Sequence, residues 1–152
     1  WGGPRGTNLF DGGAPFYDTY GTADGKFVAV GCVEPQFFAE MVRGLGLDSR
    51  GYDQNDRAGW PAMAADFTAA FASRTRDEWA AHFADTDACV TPVLSLVEAP
   101  TYPHNRARHT FLERSGISQP APAPKMMDTE STPLGEPRET SIVDAIARWR
   151  RA

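Results

Sequence analysis

The sequence predicts an α+β fold: a small antiparallel sheet built on a β-hairpin, several packed helices and a separate C-terminal helix. Three observations carry that expectation. The runs Phe16 to Thr22 and Lys26 to Cys32 are β-like and flank Ala23-Asp24-Gly25, where Asp-Gly supplies the positive φ angles of a tight hairpin turn. Ala88-Cys89-Val90-Thr91-Pro92-Val93 reads as a further short strand, confined by Pro92 to an edge or a strand end. Elsewhere apolar residues recur at the three- and four-residue spacing of a half-buried helix.

Taken in order, residues 1–15 are rich in Gly and Pro and end in Asp11-Gly12-Gly13-Ala14-Pro15, a looped entry segment. After the hairpin, strand gives way to helix within Gly31-Cys32-Val33-Glu34-Pro35-Gln36-Phe37-Phe38. Phe37, Met41 and Leu45, with Phe38 and Val42 beside them, form one buried helix face. Pro35 suits the first helical position, because its missing N–H has no partner there anyway. Gly44 or Gly46 ends the helix. Asp48 to Gly59 is polar and irregular, and Met63, Phe67 and Phe71 mark a second amphipathic helix. Thr75-Arg76-Asp77-Glu78 has the spacing of a capping box and opens a helix carrying Trp79 and Phe83.

Leu96 to Ala99 fits one helical turn before Pro100, and Phe111-Leu112-Glu113 a returning strand. Gln119-Pro120-Ala121-Pro122-Ala123-Pro124 reads as a semi-rigid linker. Ile142, Val143, Ile146 and Trp149 are spaced for a last amphipathic helix, which is marginal alone in water and needs a surface to pack on.

The 152 residues fit one ordinary domain with a real core, and 41% hydrophobic content excludes a disordered chain. A net charge of -5 argues against nucleic acid as a partner, since phosphate binding needs a concentrated basic surface. The one basic cluster, Arg148, Arg150 and Arg151, matches the dipole at a helix C-terminus. Cys32 and Cys89 sit in apolar, strand-like runs and resemble core residues, which fits a reducing cytoplasm. No run approaches the roughly 18 apolar residues of a membrane span. The start, Trp1-Gly2-Gly3-Pro4-Arg5-Gly6, has no initiator Met and reads as a piece of a longer protein.

The chemistry is sparse. No Gly-rich phosphate loop or nucleophile elbow is present. His82, His104 and His109 lack metal-ligand partners at useful spacing; His82 reads as structural, and the other two as solvated loop residues. Glu34 stands at the strand-to-helix junction, where two readings are open. Acidic residues stabilise a first helical turn by themselves, and a carboxylate held there could also orient a catalytic base.

Asn8-Leu9-Phe10-Asp11-Gly12-Gly13-Ala14-Pro15-Phe16-Tyr17, then Ala23-Asp24-Gly25-Lys26 and Val30-Gly31-Cys32-Val33-Glu34-Pro35-Gln36-Phe37, resembles the α-methylacyl-CoA racemases of the family III CoA-transferase superfamily. Asp87 to Leu94 and Pro103 to Arg108 extend the resemblance, which is weakest at residues 46–57 and 116–138.

The resemblance implies a large Rossmann-like domain and a smaller α+β domain, with two chains interlocked as rings. The active site then lies between the large domain of one subunit and the small domain of the other. On that basis residues 1–15 are an inter-domain connection, 16–116 the small domain, 117–138 a Pro-rich linker, and 139–152 a helix that docks on an absent large domain. The two general bases, a His and an Asp, belong to the large domain and have no counterparts here. Glu34 matches the glutamate that partners the catalytic His, and Tyr17 matches a tyrosine near the pocket. Tyr17 reads equally as a hairpin residue packed on the sheet. Asp11 and Gly12 match the pocket motif, or simply shape their loop.

The implied activity is an isomerase that racemises 2-methylacyl-CoA thioesters by proton transfer through an enolate. It needs no metal or redox cofactor, CoA entering only as the substrate thioester, and it works as a homodimer. The rivals are a family III CoA-transferase with an Asp nucleophile in the absent half, and a non-catalytic dimerisation or docking module.

Overall fold

The structure is a computed structural model that describes residues 3–124 and 139–150. It divides into two compact units, Trp1–Leu94 and Ser95–Ala152.

In the first unit, β1 (Tyr17–Gly21) and β2 (Phe27–Gly31) form the hairpin, and β3 (Val90–Pro92) pairs antiparallel with the far side of β2. The hairpin connection is not the two-residue turn that Asp-Gly suggests. Thr22 N–H donates to the Lys26 carbonyl at 2.9 Å and Gly25 N–H to the Thr22 carbonyl at 3.0 Å, leaving Ala23, Asp24 and Gly25 in the loop. Gly25 alone among them has a positive φ, +73°. This is the three-residue loop that places one left-handed residue after a turn.

Three helices pack against the sheet: α1 (Pro35–Gly44), α2 (Trp60–Phe71) and α3 (Arg76–His82). Strand alternation sends Tyr20, Val28, Val30 and Val90 to the helices, where they meet Phe38, Met41, Met63, Phe67, Phe71, Trp79 and Phe83. The core is strongly aromatic: Phe16 stands edge-on to both Phe38 and Trp60, and Tyr20 stacks on Phe71 at 5.1 Å. Truncating a fully buried ring such as Phe67 should cost about 3–5 kcal/mol.

The helix ends follow the sequence. At the end of α1, Gly46 N–H bonds the Arg43 carbonyl and Leu47 N–H the Val42 carbonyl, with Gly46 at φ +76°, a Schellman ending. Thr75 and Glu78 cap α3 reciprocally, the backbone N–H of each bonding the other's side chain at 2.8 and 3.3 Å. The irregular stretch after α1 contains one 3-10 turn, Ser49–Gly51, capped by Asp48.

Cys32 is buried, its thiol donating to the Ala88 carbonyl, and burial pushes that thiol up to about 12. Cys89 is not a core residue. It lies one residue before β3 at φ +49° and is exposed, since alternation turns its neighbours Ala88 and Val90 inward and leaves Cys89 on the open face.

The second unit holds a 3-10 turn, Ala99–Thr101, then α4 (Pro103–Ala107), β4 (Phe111–Arg114), β5 (Ile117–Pro120) and α5 (Ile142–Trp149). Two details differ from the sequence reading. His104 lies in a short helix that opens on Pro103, not in a loop. Phe111–Arg114 pairs antiparallel with Ile117–Pro120 as a separate hairpin, so strand occupies the first residues read as linker. The linker residues 125–138, and Arg151, lie outside the described residues. In α5, Ser141 accepts from Asp144 N–H, and Ile142, Val143 and Trp149 are 79, 75 and 82% exposed.

Candidate functional site

The sheet has one face against the helices and one open. Strand register places Tyr17 opposite Gly31, Thr19 opposite Ala29 and Ala29 opposite Thr91, and these residues line a cleft of about 510 Å³ on the open face. Asp11 and Gly12 form its other wall, with Cys89 at the end of the Gly31 row. Three of the four sequence-predicted site residues, Asp11, Gly12 and Tyr17, therefore share one cleft. Glu34 is not among its lining residues.

The Asp11 carboxylate is consumed by its own loop. One oxygen accepts from Asn8 N–H at 2.7 Å; the other accepts from Gly6 N–H at 3.0 Å and the Asn8 side-chain amide at 2.7 Å. The Asn8 amide is the main cause that holds the carboxyl below its ordinary value. Gly12 has φ +88°, a conformation open to glycine at no steric cost. A Cβ on Gly13 would lie 2.6 Å from the Asn8 carbonyl oxygen, so the two backbones pass too closely for any side chain. Asp11 and Gly12 thus build the cleft wall. Tyr17 stands with its ring edge-on to Phe10 at 5.0 Å and lines the cleft.

Glu34 is the N-cap of α1, with φ -75° and ψ 140°, and its carbonyl accepts from Phe38 N–H at 3.0 Å. Its side chain makes no capping bond and is exposed. A capping bond is worth about 1 kcal/mol, and Glu34 forgoes it, although the helix dipole still favours its charge. Among the described residues the carboxylate has no hydrogen bond or ion pair. Burial raises the Cys89 thiol, and the negative charge of Glu34 adds to that.

The backbone that carries this free carboxylate is closely held. Gly31 N–H bonds the Cys89 carbonyl, Cys32 N–H the Phe16 carbonyl and Val33 N–H the Gly31 carbonyl, at 3.0, 2.9 and 3.1 Å. From the other side, the Gln54 amide donates to the carbonyls of both Cys32 and Val33. Sequence reasoning missed the cleft residues Thr19, Thr91 and Cys89, although period-two alternation from Tyr17 would have reached Thr19. His82 is used structurally, its ring nitrogen 2.9 Å from the Gly44 carbonyl oxygen. Among the described residues no group of His, Cys, Asp or Glu is arranged to hold a metal ion, and no helix is long and apolar enough to cross a membrane.

Residues 2–139 match CoA-transferase family III. The chain belongs to that family. It is 49% identical over 144 residues to the alpha-methylacyl-CoA racemase of Mus musculus, covering 93% of this chain and 38% of that protein. To the alpha-methylacyl-CoA racemase of Homo sapiens it is 47% identical over 136 residues, covering 88% of this chain and 35% of the relative. The chain thus spans little more than a third of the length of these relatives. The crystal structure of the Rv3272 protein of Mycobacterium tuberculosis shares the fold, with a TM-score of 0.60 at 16% identity, covering 74% of this chain and 33% of that one.

Proposed function

We propose that this chain is the small-domain part of an isomerase that racemises 2-methylacyl-CoA thioesters. Racemisation removes the proton alpha to the thioester and returns it on the opposite face. Two bases must flank one carbon, and the developing enolate oxygen must be stabilised. In this reading the bases, a His and an Asp, come from the rest of the family's length. Glu34 orients the His and favours the imidazolium formed on proton abstraction. The open cleft beside Tyr17, Asp11 and Gly12 receives part of the acyl-CoA, and two subunits interlock to complete the site. No metal or redox cofactor takes part, and the enzyme works in the cytoplasm.

The observation that supports this most is the Glu34 junction: an exposed carboxylate without a partner among the described residues, on a closely bonded backbone. Nearly half of the residues are shared with racemases over most of the chain, which supports the reaction class.

The test is to incubate the full-length enzyme with one epimer of a 2-methylacyl-CoA in D2O. Epimerisation with deuterium at the alpha carbon is expected. The family's name favours a second reading, CoA transfer. Transfer of CoA to an added carboxylic acid, without alpha-deuterium, would replace the first reading with that one.

A further inference from the structure

Gln54 lies in the stretch where the sequence is polar and irregular, yet it is half-buried and bonded at both ends. Its side-chain amide nitrogen donates to the carbonyls of Cys32 and Val33, each at 3.1 Å, across 22 and 21 residues of chain. Its backbone carbonyl accepts from the indole N–H of Trp60 at 3.0 Å. Trp60 is 8% exposed and packs edge-on to Phe16, whose carbonyl in turn holds Cys32 N–H. Gln54 therefore holds the two peptides before Glu34 with its side chain, while its own backbone is anchored to an aromatic fixed in the core. It uses both amide hydrogens on two carbonyls, the geometry of a clamp and not of a solvent contact.

We infer that Gln54 is a positioning residue for the reaction: it fixes the direction in which Glu34 presents its carboxylate. The inference rests on the reading of Glu34 as the partner of the histidine base. Gln54 does not line the cleft. Its effect passes through the Cys32 and Val33 carbonyls to the N-cap of α1. Supporting residues of this kind typically change activity by about 10- to 100-fold when removed, and a displacement of about 1 Å at a reacting group is enough to produce that loss.

The experiment uses the full-length enzyme and the variants Gln54→Met, Glu34→Gln and the double variant. Gln54→Met keeps the length of the side chain and removes both donors. Its kcat for alpha-deuterium exchange should fall about tenfold with KM unchanged. The acid limb of the pH profile should move to lower pH, because a histidine without its oriented carboxylate loses protons more readily. In the Glu34→Gln background the same change should cost nothing further, since the group it positions is already gone.

Wild-type kcat in Gln54→Met, or an equal loss in both backgrounds with an unmoved acid limb, would overturn the inference. Should Gln54→Met fold poorly, Gln54→Ala opens both carbonyls to water and is read against the same outcomes. If Glu34→Gln itself exchanges at the wild-type rate, the reading of Glu34 fails and Gln54 falls with it. An impaired Glu34→Gln beside an unimpaired Gln54→Met removes Gln54 alone.

Discussion

Asp11 and Glu34 are both exposed carboxylates, and they are used in opposite ways. Asp11 accepts three hydrogen bonds from Gly6 and Asn8 and holds its loop closed. Glu34 accepts none among the described residues, and what is held is the backbone beneath it. A carboxylate already bonded three times has little capacity left for a partner. One that is unbonded, on a closely held backbone, has all of it. The difference separates a residue that shapes a site from one that can act in it, which spacing in the sequence could not do.

The sharpest way to break this contrast is to neutralise each carboxylate in the full-length enzyme. Glu34→Gln should lower kcat for alpha-proton exchange about 100-fold with the thermal unfolding midpoint unchanged. Asp11→Asn should leave kcat within about twofold and raise KM a few-fold, through a loosened cleft wall. Limited proteolysis should then cut more readily between Gly6 and Gly13. The reverse pattern in the steady-state parameters would mean that the roles are exchanged.

Glycine substitutions sharpen the same contrast on a smaller scale. A Cβ at Gly13 meets the Asn8 carbonyl, whereas a Cβ at Gly31 meets nothing within 4 Å. Gly13→Ala should therefore lower the unfolding midpoint by several degrees, and Gly31→Ala should leave it within about a degree, as calorimetry would show. Equal effects would mean that the loop is no tighter than the junction.

The smallest effect is in pH. The Asp11 carboxyl is held below its ordinary value of 3.8, chiefly by the Asn8 amide. A lowered pKa stabilises the loop fully above the ordinary value, and that stabilisation is lost as pH falls through the lowered one. The amide NMR signals of Gly6 and Asn8 should hold steady through the ordinary carboxylate range and move only below it. Movement centred at the ordinary value would show that the Asp11 bonds are weak in solution.

Much of the first unit was legible in the sequence, because its signals are local. The hairpin, the Thr75 capping box, the Gly46 helix ending and the Met63-Phe67-Phe71 stripe each depend on residues within one or two turns of one another. What escaped depends on register or distance. Cys89 reads as part of a buried apolar run until the register shows Ala88 and Val90 turned inward and Cys89 between them turned out. β5 ends on a proline in a stretch composed like a linker, and α4 is too short to show a period. Asp11, Gly12 and Tyr17 came from the family resemblance, whose motif runs through all three. Gln54 was not legible, since its partners are backbone carbonyls more than 20 residues away and carry no sequence signal.

The central claim, that Glu34 presents its carboxylate from a fixed mount, is tested most directly by kcat for alpha-deuterium exchange in Glu34→Asp. Aspartate keeps the charge and sets the carboxylate back by one methylene, about 1 Å, a distance that a fixed backbone does not make up. The expected result is a kcat at least tenfold below wild type, with KM and the unfolding midpoint unchanged. A wild-type kcat in Glu34→Asp would contradict the claim.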